Sequence, residues 1–435
     1  MEKRIEQLEK RLEELSGSAK RQAAPFSRGL PKTNPKRPGR KSGEDYGTVS
    51  RRPIPAEMDE VHEAPLPPVC PRCGGEVIES RVDQQYQVEI PRRPIYRQFN
   101  IHIGRCSCCG GRVQGRHRLQ TCDALGCCAS QVGPETQAAV VMLNKELGLS
   151  QGKISRFFRS FFGIQLSRGG SCQIMLRAAE RCEENYQAIV KRVQQSEWIV
   201  PDETGWRIGG WLAWLHTAVS EDAVAYLIAP QRGFAASALL IGEHYGGHLI
   251  HDGWASYDRF WCATHQTCLA HLLRRCRELL ETARGGAVIF PRQVKAILQQ
   301  ALAVRDQREA GVLSARRVRK RTGQLQKRMD KLFTWTRSNA ANERLAKHLW
   351  NHGHQLFTFL DQPGIDATNY RAEQALRPAV VNRKVWGGNR TEAGAMAQSI
   401  LMSVLFTASK LQRDGLSFLS HLFCSRPGSR PLLFT

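Results

Sequence analysis

Long apolar runs are missing from this chain. No stretch of about 18 consecutive apolar residues occurs, so no segment reads as a membrane-spanning helix. The N-terminus has no apolar core either: it is charged from Glu2 onward, and no secretory leader is expected. Acidic residues are scarce. Forty Asp and Glu stand against 63 Lys and Arg, a formal net charge of +23 with a pI near 9.8. Such an excess suits a polyanionic partner, nucleic acid above all. What is present supports a folded, multidomain protein: 435 residues predict two or more domains, and 41% hydrophobic content can build a core. A cytoplasmic location is expected. There the 14 cysteines read as thiols or zinc ligands rather than disulfides.

Residues 1–16 read as a short coiled-coil helix, with Ile5, Leu8, Leu12 and Leu15 forming an a/d seam. It would either pair two copies of the chain or pack on its own chain. Residues 17–65 read as a basic, disordered linker. Within 17–52, ten Lys or Arg face two acids, Glu44 and Asp45. Lys36, Arg37, Arg40 and Lys41 are the candidates to lie along DNA phosphates.

Residues 66–115 carry a metal signal. Cys70 and Cys73 precede a glycine pair, and so do Cys106 and Cys109; two C-x2-C knuckles at this spacing predict a four-cysteine zinc ribbon. Strands are expected over 86–90 and 96–103. Cys108 is surplus by spacing. Cys122, Cys127 and Cys128 would form a second site or be isolated buried thiols.

Residues 116–195 read as a helical domain. A helix opening at Gly133-Pro134-Glu135, a turn at Gly148 and a second helix carrying Lys153 and Arg156 resemble a helix-turn-helix. A longer helix follows Leu166-Ser167-Arg168-Gly169 and runs towards Gln195.

Residues 196–412 hold the stretch around which the chain is organised. Trp198–Val200 reads as a buried strand ending on Asp202. Runs at 211–219 and 223–228 follow, then a short helix, and then His248–His251 ending on Asp252. A fifth strand is expected from Thr264 and an amphipathic helix over 269–282. Three antiparallel strands, a helix and a further strand give the layout of a ribonuclease-H-like core, an α/β fold. Residues 284–365 read as a basic helical insertion. A helix from Asn369 is expected to end at Pro378 with Glu373 near its middle, and Arg383 and Lys384 are placed in a Gly-rich loop as DNA contacts. Residues 413–435 read as a C-terminal tail.

Asp202, Asp252 and Glu373 are the candidate catalytic acids. Carboxylates are hard oxygen ligands for Mg²⁺ or Mn²⁺. Two ions about 3.5–4 Å apart would clamp a scissile phosphate, activating a water or a DNA 3′-hydroxyl. Glu203, the strand neighbour of Asp202, should face the other way and is set aside. Cys262, His265, Cys268 and His271 have regular three-residue spacing. A strand followed by a helix would not make them converge on zinc, so they read as core packing with a hydrogen-bonded His271.

Seven motifs run in order: Cys-Pro-x-Cys-Gly-Gly (70–75), Leu-Ser-Arg-Gly (166–169), Asp-Glu-Thr-Gly-Trp (202–206), Asp-Gly-Trp-x-x-Tyr-Asp (252–258), Cys-Leu-Ala-His-Leu-Leu-Arg (268–274), Ala-Glu-Gln-Ala-Leu-Arg-Pro (372–378) and Arg-Lys-Val-Trp-Gly-Gly-Asn-Arg (383–390). Together they resemble the transposases of the bacterial insertion sequence 66 family. The resemblance implies a DDE transposase with its triad on Asp202, Asp252 and Glu373, nicking element ends and transferring strands into target DNA with Mg²⁺. It also implies homo-oligomers on terminal inverted repeats, small accessory proteins of the same element, and a place at the bacterial nucleoid. The chain departs from the family at His251, where a small hydroxyl residue is common, and at Tyr370, where Asn is common. A nuclease that cuts without joining, or an inactive zinc-bearing DNA binder, would share many of these residues.

Overall fold

A computed structural model describes residues 56–435 apart from 63, 89, 91–92, 127–130, 335–338, 427 and 435. The expected coiled coil, the basic arm with Lys36, Arg37, Arg40 and Lys41, and Cys127 and Cys128 lie outside the described residues. The chain divides into two compact units, one ending at Arg93 and one spanning Pro94–Thr435.

In the first unit, the Cys70 knuckle is a tight turn: the Gly74 amide donates to the Cys70 carbonyl at 2.8 Å, and the Cys70 amide to the Gly75 carbonyl at 2.9 Å. The strand expected over 86–90 is absent among the described residues. So is the one over 96–103, in the second unit; only Ile103 there is in a strand. Alternation predicts a strand only where one face finds cover. Here Val88 is 76% exposed and Tyr96 85% exposed. The strands that do form are β1 (Ile103–Arg105) and β2 (Arg112–Gln114), an antiparallel pair flanking the Cys106 knuckle.

The second unit is built on a mixed five-stranded sheet. Its strands are β3 (Trp198–Ile208), β4 (Trp211–Val219), β5 (Val224–Ala229), β6 (His248–His251) and β7 (Thr264–Thr267), in the order β5-β4-β3-β6-β7. β3, β4 and β5 are antiparallel neighbours, whereas β6 and β7 run parallel to β3. One face buries Ile199, Ala218, Leu227 and Leu249. It is covered by α1 (Pro134–Lys145), α2 (Gln151–Phe162), α3 (Arg168–Gln194), α4 (Phe234–Ile241), α11 (Glu392–Lys410) and α12 (Gly415–Cys424). The other face buries Val200, Leu215, Tyr226 and Ile250. Over it lie α5 (Leu269–Thr282), α6 (Ile289–Glu309), α7 (Ala315–Phe333), α8 (Ala340–Asn351), the one-turn α9 (Thr358–Asp361) and α10 (Tyr370–Trp386). The odd and even residues of each central strand therefore feed two separate cores, as a period of two requires.

Two expectations change here. Pro378 lies inside α10, which continues to Trp386, so Arg383 and Lys384 sit in its last turn and Glu373 in its first. A proline denies the carbonyl four residues earlier its amide partner. The helix tolerates this because Ala372, Leu376 and Ala379 are buried and the Tyr226 hydroxyl donates to the Ala375 carbonyl at 2.8 Å. The C-terminal tail is not featureless: α12 buries Leu419, Leu422 and Phe423. Arg181 of α3 binds the Leu422, Phe423 and Ser425 carbonyls at its end.

The sheet edge at β5 is closed by a helix rather than a strand. Ser399, Ser403 and Thr407, four residues apart on α11, accept from the amides of Ile228, Tyr226 and Val224 at 2.9, 2.8 and 3.0 Å. An i, i+4, i+8 row of hydroxyls thus matches every second edge amide, groups that would otherwise be buried without a partner. Ser403→Ala should cost about 1–3 kcal/mol, the penalty for orphaning a buried donor. Chemical denaturation measures it, and Ser409→Ala, at an exposed position of the same helix, serves as the control.

Candidate active site

The residues of the Asp-Glu-Thr-Gly-Trp motif are held by what surrounds them. Asp202 does not end a strand, as the apolar run predicts; β3 continues through it to Ile208. Its Oδ1 accepts from the Glu203 amide at 2.8 Å. Thr204 accepts from Arg383 of α10 at 3.4 Å. Trp206 is 1% exposed and its indole donates to Asn389 at 2.8 Å. Asn389 also pairs through its backbone with Arg207 and Gly209, welding the loop after α10 to the end of β3. Gly388 is obligatory there: its φ is +118° and a Cβ would meet the Arg207 carbonyl at 2.6 Å. The Arg-Lys-Val-Trp-Gly-Gly-Asn-Arg motif is therefore a clamp that fixes α10 against the sheet. Arg383 is spent inside it, while Lys384 stays exposed.

The pairing of β3 with β6 sets the second acid. Trp198 lies opposite His248 and Ile199 opposite Leu249. Carried forward, the same register sets Asp202 level with Asp252, just past the end of β6. Parallel neighbours run about 4.8 Å apart and matched residues face the same way. The Asp252 turn is rigid. Trp254 donates its amide to Asp252 Oδ1 at 2.9 Å, and Gly253 donates to His251 Nδ1 at 3.1 Å. Gly253 has φ +84° and a Cβ there would lie 2.9 Å from the His348 ring. Because His251 Nδ1 accepts, its Nε2 carries the proton and donates to His265 Nδ1 at 2.9 Å; His265 Nε2 in turn donates to the Phe260 carbonyl at 3.0 Å. The unusual His251 is thus the first link of a relay of neutral imidazoles bracing the Asp252 turn. Burial holds both below the usual histidine range.

Glu373 comes from the first turn of α10, and its Oε1 lies 3.6 Å from His271 Nε2. His271 belongs to α5, whose N-cap is buried Cys268. The Cys268 thiol accepts the amide of Asn369, the residue that opens α10, at 3.4 Å. Buried polar atoms without partners cluster at this junction: His271 Nδ1 and both side-chain atoms of Asn369. Of the regularly spaced set Cys262, His265, Cys268 and His271, His265 bonds to His251, Cys268 caps a helix and His271 faces Glu373, so the four do not form one site.

Electrostatics tie the acids together. Burial pushes the Asp202 carboxyl up to about 8, and the negative charges of Glu203, Asp252 and Glu373 push the same way. All three candidates therefore share one field. Even so, among the described residues no group of three Cys, His, Asp or Glu is gathered closely enough to hold one metal ion.

The knuckles carry a second chemistry. In each unit the first thiol, Cys70 or Cys106, is held below the ordinary thiol range by backbone amides of its own turn and by its partner, Cys73 or Cys109. Cys106 is paired with Cys109, and Cys108 is exposed beside them. Cys122 is half-buried. On the helical region, Lys153 and Arg156 are both exposed on α2, the second helix after the Gly148 turn.

Glu203, Arg232, Tyr257 and Trp254 are site residues that sequence reasoning passed over. Glu203 was set aside by strand alternation, and its side chain does leave the Asp202 face. It is nevertheless 2% exposed and paired with Arg232 at 2.8 Å. Its neighbours Asp202 and Thr204 are polar and its partners Arg232 and Tyr257 lie 29 and 54 residues away, so no local signal marked it.

A family model described as Transposase IS66 family matches residues 129–397, more than half of the chain, and takes in α1 to the start of α11 with all three acids. No curated protein matches. The family match puts the chain among DNA-processing proteins of the transposase class. The chain is a member of the Transposase IS66 family.

Raised above its ordinary value, the Asp202 carboxyl binds its proton more tightly folded than unfolded. Its contribution to stability is full below about pH 4 and is lost as pH rises through about 8. Without added divalent cation, Asp202→Asn should therefore raise the thermal midpoint at pH 8 by more than at pH 5. Parallel melting curves at the two pH values measure the difference.

Proposed function

We propose that the chain is a DDE-type DNA strand transferase with a ribonuclease-H-like core, cutting DNA at the ends of an insertion element and joining those ends to target DNA. The observation that carries the reading is the parallel β3–β6 register, Trp198 with His248 and Ile199 with Leu249, which, extended past the end of β6, would bring Asp252 level with Asp202 on the face where α10 carries Glu373. Sheet order favours the fold assignment: three antiparallel strands with two parallel ones added beside the first.

The donor set fits divalent cations. Three carboxylates are hard ligands, and the Asp202 carboxyl, raised first by burial and further by the charges of Glu203, Asp252 and Glu373, would be favoured in its charged form by a bound cation. Two Mg²⁺ or Mn²⁺ ions bound among Asp202, Asp252 and Glu373 would activate the attacking oxygen and stabilise the leaving one. The chain itself supplies the positioning. β3 and β6 hold two acids on a rigid sheet, and the Asn389 clamp fixes the helix bearing the third. Glu373 would exchange His271 for a ligand, leaving the imidazole beside the reacting backbone. On this reading Asp252→Asn abolishes cleavage of end-labelled inverted-repeat DNA in Mg²⁺ while DNA affinity stays within about twofold. A variant that still cuts refutes it. Cut ends without joined products would leave only a nuclease.

DNA would be held by basic surface. On α7, Arg316, Arg317, Arg319 and Lys320 are exposed, while Val318, Thr322, Leu325 and Met329 are buried. Like charges three and four residues apart cost the helix about 0.2–0.5 kcal/mol each, a cost that phosphates would offset. Lys153, Arg156 and Lys384 are further contacts, with the basic arm at Lys36, Arg37, Arg40 and Lys41. Changing the four α7 cations to Gln should flatten the plot of log affinity against log salt by about 0.9 for each phosphate no longer neutralised. An unchanged slope removes α7 from the DNA path.

Structural Zn²⁺ is proposed on the thiols of the knuckles, Cys70 with Cys73 and Cys106 with Cys109. Each knuckle presents a lowered first thiol on its own tight turn, which suits thiolate ligation. Cys109→Ser should lose about one zinc per chain by elemental analysis, and Cys108→Ser should keep it. The working form is proposed to be a homo-oligomer on DNA, with small accessory proteins of the element as further partners.

A further inference from the structure

Glu203 has both oxygens occupied although it stands outside the proposed triad. Arg232, between β5 and α4, donates from Nε and Nη2 to Oε1, each at 2.8 Å. The Tyr257 hydroxyl donates to Oε2 at 2.6 Å. The Arg232 guanidinium also lies between two indoles, 4.8 Å from the ring of Trp214 and 4.0 Å from that of Trp254. Trp254 and Tyr257 belong to the Asp252 turn: the Trp254 amide holds Asp252 Oδ1, and the Tyr257 amide donates to the Trp254 carbonyl at 3.0 Å. One carboxylate therefore grips that turn twice, directly through a phenol and indirectly through a guanidinium stacked on an indole.

An ion pair with a buried carboxylate and a half-buried guanidinium is a poor source of net stability, because desolvation of the carboxylate offsets the Coulombic gain. What it supplies is direction: a planar guanidinium held by two donors to one oxygen fixes the plane against which Trp254 lies. Glu203 is also the chain neighbour of Asp202. Whatever it fixes is fixed relative to that acid.

We propose that Glu203 is a positioning residue, acting through Arg232–Trp254 and Tyr257 to hold Asp252 in place beside Asp202. The proposal rests on the reading of Asp252 as part of the catalytic site. It makes Glu203 a required member of the Asp-Glu-Thr motif without contact to substrate.

The test uses the full chain with Glu203→Ala, Glu203→Gln, Tyr257→Phe and Trp254→Ala. Deuterium exchange over residues 252–260 should accelerate about tenfold or more in Glu203→Ala and less in Glu203→Gln, whose amide still accepts from Arg232. Exchange in β3, β4 and β5 should not change. The cleavage kcat should fall on the order of 10²-fold in Glu203→Ala, the effect of a misplacement near 1 Å, with KM for DNA unchanged. Glu203→Gln should recover part of that loss, and Tyr257→Phe and Trp254→Ala should each reproduce part of it. The proposal is overturned if residues 252–260 exchange at the parent rate in a folded Glu203→Ala or Tyr257→Phe variant, or if exchange accelerates and kcat stays within twofold. Failure of the catalytic reading looks different: Asp252→Asn would then cleave as the parent does, whatever the exchange in that turn.

Discussion

The parallel pairing of β3 with β6 is the constraint on which the rest of the site depends. Two short strands 50 residues apart meet in one register, Trp198 with His248 and Ile199 with Leu249. From that pairing follows the level placement of Asp202 and Asp252. Nothing about either acid alone would bring them together; the Asp202 carboxyl is raised first by burial and further by the neighbouring negative charges. That cost is overcome by apolar burial beneath them, with Val200 and Ile250 wholly buried on that face and Ile199 and Leu249 on the other. Burial of the strands thus offsets the cost of the buried Asp202 carboxyl.

Several devices maintain that arrangement, each of them a polar group answering a backbone demand. The hydroxyl row of α11 finishes the free edge at β5. Asn389 staples the loop after α10 to β3 with side chain and backbone together. The His251–His265 relay and the Glu203–Arg232 pair hold opposite sides of the Asp252 turn. Of these residues, Asn389 and Glu203 fall within the motifs noted in the sequence, and both have scaffolding contacts.

Much of the sheet could be read directly. The runs at 211–219 and 248–251 and the helix at 269–282 have the bounds expected of them, because apolar strands closed by turn residues leave little choice. What resisted reading depended on distant neighbours. The run from Trp198 was expected to stop at Asp202, but hydrogen bonds to β4 carry the strand to Ile208. Pro378 was expected to end α10, but tertiary burial overrides the local penalty. Among the described residues of the alternating segments 86–90 and 96–103, Val88 and Tyr96 are exposed and only Ile103 is in a strand. Of the proposed site, the three acids were selected from their positions after apolar runs and on a helix. Glu203 was not, because its partners Arg232 and Tyr257 lie 29 and 54 residues away and no local pattern announces them.

The most direct measurement of the central claim is Mn²⁺ binding followed by electron paramagnetic resonance in the parent chain and in Asp202→Asn, Asp252→Asn and Glu373→Gln. If the sheet and α10 present one shared site, the parent binds Mn²⁺ and each single substitution weakens it by about tenfold or more. If Glu373→Gln binds as the parent does, α10 does not contribute to the site and the three-acid account is wrong.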